Sequence, residues 1–213
     1  MSTQTKTRFN PDDCQKRQVL HDAVFYEILF TFGVSPHDET DYCAWEHVNY
    51  SRMGHARVLY AFFETSIVQR EKIRKRNKDY DDVVAEDFGF CARKIPRPEG
   101  ERLRLNKDLF HLTYSRLRHT PSTKAWPDSI LANLHGTCVE FIRHLLSNGL
   151  GLGTPTDFIK WKQLLVALTS GRELRIGRPS TESGLEPNWV LRLGRPLHSG
   201  GELTRIIPKP KSN

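Results

Sequence analysis

Apolar residues recur at three- and four-residue spacings from Val19 to Leu168, and no stretch before Gly171 alternates apolar with polar. That period belongs to helices with one buried face, so it bounds the fold more tightly than any other feature. Val19, Leu20, Val24, Phe25, Ile28, Leu29 and Phe32 follow an Asp12-Asp13 start, and Gly33 and Pro36 close the run. Residues 12–33 therefore read as one amphipathic helix. A second helix begins near Thr40 or Asp41 and runs through Trp45, Val48, Met53, Ala56, Leu59, Tyr60, Phe63 and Ile67. It is expected to dissolve in the charged stretch Arg70–Lys78, where apolar positions stop. Asp81–Phe88 reads as a short helical turn with acids near its start, and residues 93–100 as a loop. Three more helices are expected, at Glu101–Arg118, from Pro127 to Leu146, and at Thr156–Leu168.

After Gly171 the character changes to Gly, Pro and Ser with three β-leaning pieces: Arg172–Ile176, Trp189–Leu193 and Leu203–Ile207. The expected fold is thus all-α, an up-and-down bundle of four to five helices over residues 1–171. Residues 172–213 form a basic C-terminal extension, either poorly ordered or a small β-rich element.

No run of 18 uncharged apolar residues exists, so no membrane partner is expected. Met1–Pro11 carries no apolar stretch and does not read as a secretory leader. Cys14, Cys43, Cys91 and Cys138 show neither C-x-x-C nor finger spacing, so they read as reduced thiols in a cytoplasmic protein without metal or cofactor. The net charge of +7 favours a polyanionic partner, RNA foremost. Eight Lys/Arg against four Glu in residues 172–213 supply +4 of it. A second basic cluster is Arg70, Lys72, Arg74, Lys75, Arg76 and Lys78, which could equally be plain solvated surface.

The chemistry-bearing segment is the third long helix. At 100° per residue Arg104, Lys107, His111, Tyr114 and Arg118 fall on one stripe, and Leu105, Leu109 and Leu112 on another. Cations that hold phosphate then flank an imidazole that can move a proton near neutral pH. An exposed helix face is polar in any case, so the same stripe is also what a site-free helix would show. Asp81, Asp82, Glu86 and Asp87 could in principle take Mg²⁺ but fit helix-start acids better. Arg57 is expected to pair with that acidic block across the bundle. Gly149-Leu150-Gly151-Leu152-Gly153 follows no strand and lacks Lys-Ser/Thr, so it is a weak phosphate loop.

Three blocks in this order resemble the HEPN superfamily, in particular bacterial proteins related to abortive-infection HEPN domains. They are His55-Ala56-Arg57-Val58-Leu59-Tyr60-Ala61-Phe62-Phe63, then Asp81-Asp82-Val83 with Asp87-Phe88, then Asn106-Lys107-Asp108-Leu109-Phe110-His111-Leu112-Thr113 followed by Arg116 and Trp126. Together they span about residues 40–146. The resemblance implies a helical bundle paired as a two-fold dimer and a metal-independent endoribonuclease in a defence or toxin setting. A cognate antitoxin or nucleotidyltransferase is then an expected partner.

The family pattern, an Arg four to six residues before a His, is met by Arg104 and His111 with six between. The four-residue spacing would put Asn106 where Arg belongs. His111 and Arg104 are thus the candidate catalytic pair, with Lys107, Asn106, Tyr114, Arg116 and Arg118 as candidate substrate contacts. In some relatives a Tyr two residues after the His is nucleotidylated; Tyr114 is three residues on, so that role is not carried over. The alternative is a non-catalytic HEPN-like module that binds nucleic acid or a partner protein.

Overall fold

The computed structural model describes residues 11–34, 42–77, 80–97, 100–107, 128–149, 152–170, 173–175 and 190–193. These residues are predominantly helical. The first helix is α1 (Asp13–Val19), a π-helical stretch (Leu20–Val24) and α2 (Phe25–Phe32) in unbroken succession. Asp12 caps it: its carboxylate accepts from the Gln15 N–H at 2.8 Å while the Gln15 side chain accepts from the Asp12 N–H at 3.0 Å. The π turn was not visible in the apolar spacing. By widening the helical repeat it re-phases the helix, so that Leu20 and Val24 at its two ends and Phe25, Ile28, Leu29 and Phe32 beyond it all reach the core.

The second helix, α3 (Tyr42–Glu64), buries Met53, Ala56, Leu59, Tyr60 and Phe63. It ends earlier than its apolar pattern suggests. Thr65 and Ser66 break it, and the basic stretch beyond forms its own helix, α4 (Ile67–Arg76). The cause is a capping box: Ser66 Oγ accepts from the Gln69 N–H and Gln69 Oε1 accepts from the Ser66 N–H. No residue of α4 is buried, so apolar packing does not dock it. Polar clamps do. Arg70 grips Asp87 with its two terminal guanidinium nitrogens, at 2.5 and 2.9 Å, and Arg74 Nε donates to the Tyr80 carbonyl at 2.8 Å. Glu86 accepts from the Ile67 N–H at 2.7 Å and from the Ala92 N–H at 3.2 Å.

Glu86 and Asp87 lie in a 3₁₀ turn, Ala85–Phe88, which Gly89 closes at φ 74°, a left-handed conformation that glycine adopts without a Cβ clash. α5 starts at Glu101 and is described to Lys107. α6 (Asp128–Asn148) and α7 (Pro155–Ser170) agree closely with the helices expected from sequence. The rest of the long helix expected to reach Arg118 lies outside the described residues.

α2 packs on α3 and α6 on α7; α3 also touches α5 and α6, and α2 touches α6 and α7. Their shared core is rich in rings. Phe62, Phe63, Phe90 and Phe141 meet edge to face at 4.9–5.9 Å, and Trp161 stands edge-on to Phe25 at 5.2 Å.

Three short strands pair antiparallel in the order β1 (Gly33–Val34), β3 (Val190–Leu193), β2 (Glu173–Arg175). Val34 sits opposite Arg192, and Leu174 opposite Leu191. Two of the β-leaning pieces thus hold strands, and the third, Leu203–Ile207, lies outside the described residues. Their partner Gly33-Val34 was expected only to end a helix. Truncation after Ser180 removes the middle strand, but only two or three residue pairs per neighbour. The expected result is a melting temperature lowered by a few degrees with helical circular dichroism retained. A variant that aggregates or loses its helix signal would mean that the sheet holds the core together.

Candidate nucleic-acid interface

α5 buries Leu105, the one residue of its expected apolar stripe that is described. Arg102, Leu103 and Asn106 are exposed. Arg104 is different from its expected display on a cationic face. Its guanidinium lies 3.5 Å from the Glu101 carboxylate, and the two side chains are only 11% and 14% exposed. Asn106 faces α3: its Oδ1 accepts from Arg57 Nε at 3.0 Å. Arg57 was expected to pair with the acidic block, whose Asp87 takes Arg70 instead. Lys107 is within α5, but its side chain, with His111, Tyr114, Arg116 and Arg118, lies outside the described residues.

Arg57 and Asn106 form part of the wall of an open groove of about 1090 Å³. The first helix contributes Ala23 and Glu27, α3 contributes Val58 and Ala61, α4 contributes Gln69 and Lys72, and α5 adds Arg102. The chain between the 3₁₀ turn and α5 supplies Arg93, Lys94 and Arg97. Six cations, counting Arg57, Lys72, Arg93, Lys94, Arg97 and Arg102, thus face three acids: Glu27, Glu64 and Asp82.

Partnership divides the cations further. Arg97 is bound to Glu64, with the side chains 9% and 16% exposed, and its guanidinium lies 4.0 Å from the centre of the Tyr60 ring. Glu64 also accepts from the Ile95 N–H, so this pair fastens the 92–97 segment to α3. Arg93 reaches Glu140 at 2.6 Å. Lys72, Lys94 and Arg102 remain exposed and make no hydrogen bond or ion pair among the described residues. They are the groove's available charge. Tyr60 is no proton carrier: its hydroxyl donates to the Ile130 carbonyl at 2.7 Å, and burial pushes its pKa up to about 12.

The acidic block has a structural occupation. Glu86 and Asp87 spend their oxygens on backbone N–H groups and Arg70. Among the described residues no group of three or more His, Cys, Asp or Glu could hold a metal ion. Likewise, among them no helix is long and apolar enough to cross a membrane. Of the cysteines described with their side chains, Cys14 and Cys91 are exposed and Cys138 is buried, which pushes its thiol up. The Gly-rich stretch begins with Gly149 at φ 62°, bonding back to the Leu145 carbonyl as the cap of α6.

Sequence reading missed Lys94 and Arg102 as site residues and took α4 for a dissolving end. The Ser66-x-x-Gln69 signature was the available clue to α4. No protein-family model, curated protein or solved structure matches the chain.

Proposed function

We propose that this protein binds RNA along the basic groove and that the histidine helix continuing from α5 makes it a metal-independent endoribonuclease of HEPN-like type. The observation carrying the binding is that Lys72, Lys94 and Arg102, from three separate segments, converge on one groove with no acid assigned to them. Ammonium and guanidinium groups so placed track a phosphodiester backbone. The packing of α2 on α3 and of α6 on α7 supports an up-and-down bundle over residues 1–171. In this reading residues 172–213 are a basic extension. Two copies pair, and the protein works in the cytoplasm in a defence or toxin setting.

Catalysis rests on the HEPN-like spacing of Arg104 and His111. The engagement of Arg104 by Glu101 favours the second reading, a module that binds RNA and does not cut it.

The groove is tested with Lys72→Ala, Lys94→Ala and Arg102→Ala combined. Exposed positions cost little stability, within about 0.5 kcal/mol each. Each lost phosphate contact lowers the slope of log affinity against log salt by about one unit, so a fall of roughly two to three units is expected. An unchanged slope in a folded triple variant would sink the groove as the binding site. Truncation after Ser180 should lower the slope separately, since Arg195, Arg205, Lys209 and Lys211 leave with the tail.

A further inference from the structure

The first helix buries one apolar stripe in the core and leaves two large rings exposed on another side. Phe25, Ile28, Leu29 and Phe32, spaced i, i+3, i+4, i+7, are buried. Ala23, Tyr26, Glu27 and Phe30 repeat that spacing on another side, where Tyr26 is 41% and Phe30 45% exposed. Core packing does not account for two large rings left in water on one turn of helix.

Those rings are ordered with respect to each other. Tyr26 stacks on Phe30 with centroids 6.0 Å apart and planes 21° apart. Phe30 in turn stacks on His55 of α3 at 5.4 Å and 23°. Glu27 holds His55 Nδ1 at 2.9 Å, which fixes the imidazole at one end of the row. At the other end Lys160 Nζ of α7 lies 5.4 Å from the Tyr26 centroid. The row neighbours the groove: Ala23 and Glu27, adjacent to the rings along the first helix, are among the residues that line it with Arg57 and Arg102.

We propose that Tyr26, Phe30 and His55 form a base-stacking edge of the basic groove, and that its ligand is single-stranded rather than duplex RNA. This deepens the groove reading and rests on it. A duplex hides the faces of its bases in its own stack and offers a protein mainly phosphates and 2′-hydroxyls. A single strand leaves base faces free, and a cationic groove bordered by exposed rings is the arrangement that engages both parts of it. The groove's unpartnered cations are complementary to the backbone, and the ring row supplies the apolar contact that cations cannot.

The test uses the full chain, an unstructured RNA of roughly 12 nucleotides, and a hairpin duplex of the same composition. The combined Tyr26→Ala and Phe30→Ala variant should lose about fivefold to 100-fold in affinity for the single strand, the range expected from stacking. Its affinity for the duplex should stay within about twofold and its salt slope should not change, because no charge is removed. Phe30→Trp, which keeps a ring, should restore most of the single-strand affinity and report binding through fluorescence quenching, even if the alanine variant folds poorly. Unchanged single-strand affinity in the folded alanine variant overturns the stacking edge, as does an equal loss on both RNAs. In either case the groove stands if Lys72, Lys94 and Arg102 still set the salt slope. Wild-type protein that binds neither RNA overturns the groove and the edge together.

Discussion

Arg70→Ala is expected to destabilise the protein by about 3 kcal/mol, the cost of leaving a buried partner charge uncompensated. The Arg70–Asp87 pair is largely out of water, with the two side chains 11% and 9% exposed. Removing the guanidinium leaves the Asp87 carboxylate with the Val84 N–H as its remaining described partner. An uncompensated buried charge is costly, whereas a solvated surface pair is worth less than about 1 kcal/mol.

The loss should also be local in character. α4 has no buried residue, so without Arg70 its remaining described anchors are Arg74 on the Tyr80 carbonyl and the Ile67 N–H on Glu86. The helix should fray before the core does, and tryptic cleavage after Arg74, Lys75 and Arg76 should accelerate. Because α4 carries Lys72 into the groove, RNA affinity should fall as well. Arg70→Lys keeps the charge but not the two-pronged contact, and should lie between wild type and Arg70→Ala. A loss under about 1 kcal/mol on chemical denaturation would show that the pair behaves as an exposed one.

The same helix shows where sequence reading reaches its limit. Periodicity found the first helix, α3, α6 and α7 because each buries a stripe, and a buried stripe is written in the apolar residues. α4 buries nothing, so its apolar residues form no stripe, and its docking depends on a cap, on the Arg70–Asp87 ion pair and on side-chain bonds to the chain beyond it. The π turn escaped for a related reason: its effect is to shift the helical phase, and the apolar stripe of the first helix still looks regular. Tyr26 and Phe30 fall off the apolar stripe read from the sequence, in line with their exposure, but spacing alone could not show that they stack on each other and on His55. The sheet could not be assembled from its pieces, because the central strand pairs with Gly33-Val34 across most of the chain's length. Near the candidate site, the sequence placed Leu105 on the apolar stripe, and it is buried. Sequence alone could not show that Arg104 turns to Glu101, a contact three residues back on the same helix.

His111→Ala should lower RNA cleavage by about 10²–10⁴-fold, the contribution of one positioned acid–base group. His111 lies outside the described residues, so its place is read from the sequence pattern alone. In that pattern His111 stands seven positions after Arg104, with six residues between, on the expected polar stripe, while Leu109 and Leu112 share the expected apolar stripe of Leu105. If His111 stands on an exposed face, stability should change by no more than about 0.5 kcal/mol; a larger loss would mean that its side is packed, as that of Arg104 is. The imidazole would take the proton from a ribose 2′-hydroxyl as its oxygen attacks the adjacent phosphorus. The 5′-oxygen then leaves with a proton, and the upstream product ends in a 2′,3′-cyclic phosphate. No metal enters this sequence of bonds, so wild-type cleavage should persist in EDTA. Arg104→Ala tests the other half: if the guanidinium leaves Glu101 to meet the phosphorane, cleavage falls with it, by about 10²-fold or more. Cleavage that persists unchanged in His111→Ala would trace to a contaminating nuclease or another site. A wild-type protein that binds RNA in the groove and cuts none would favour the binding module, with Arg104 retained by Glu101 and Asn106 holding Arg57 as a backbone contact.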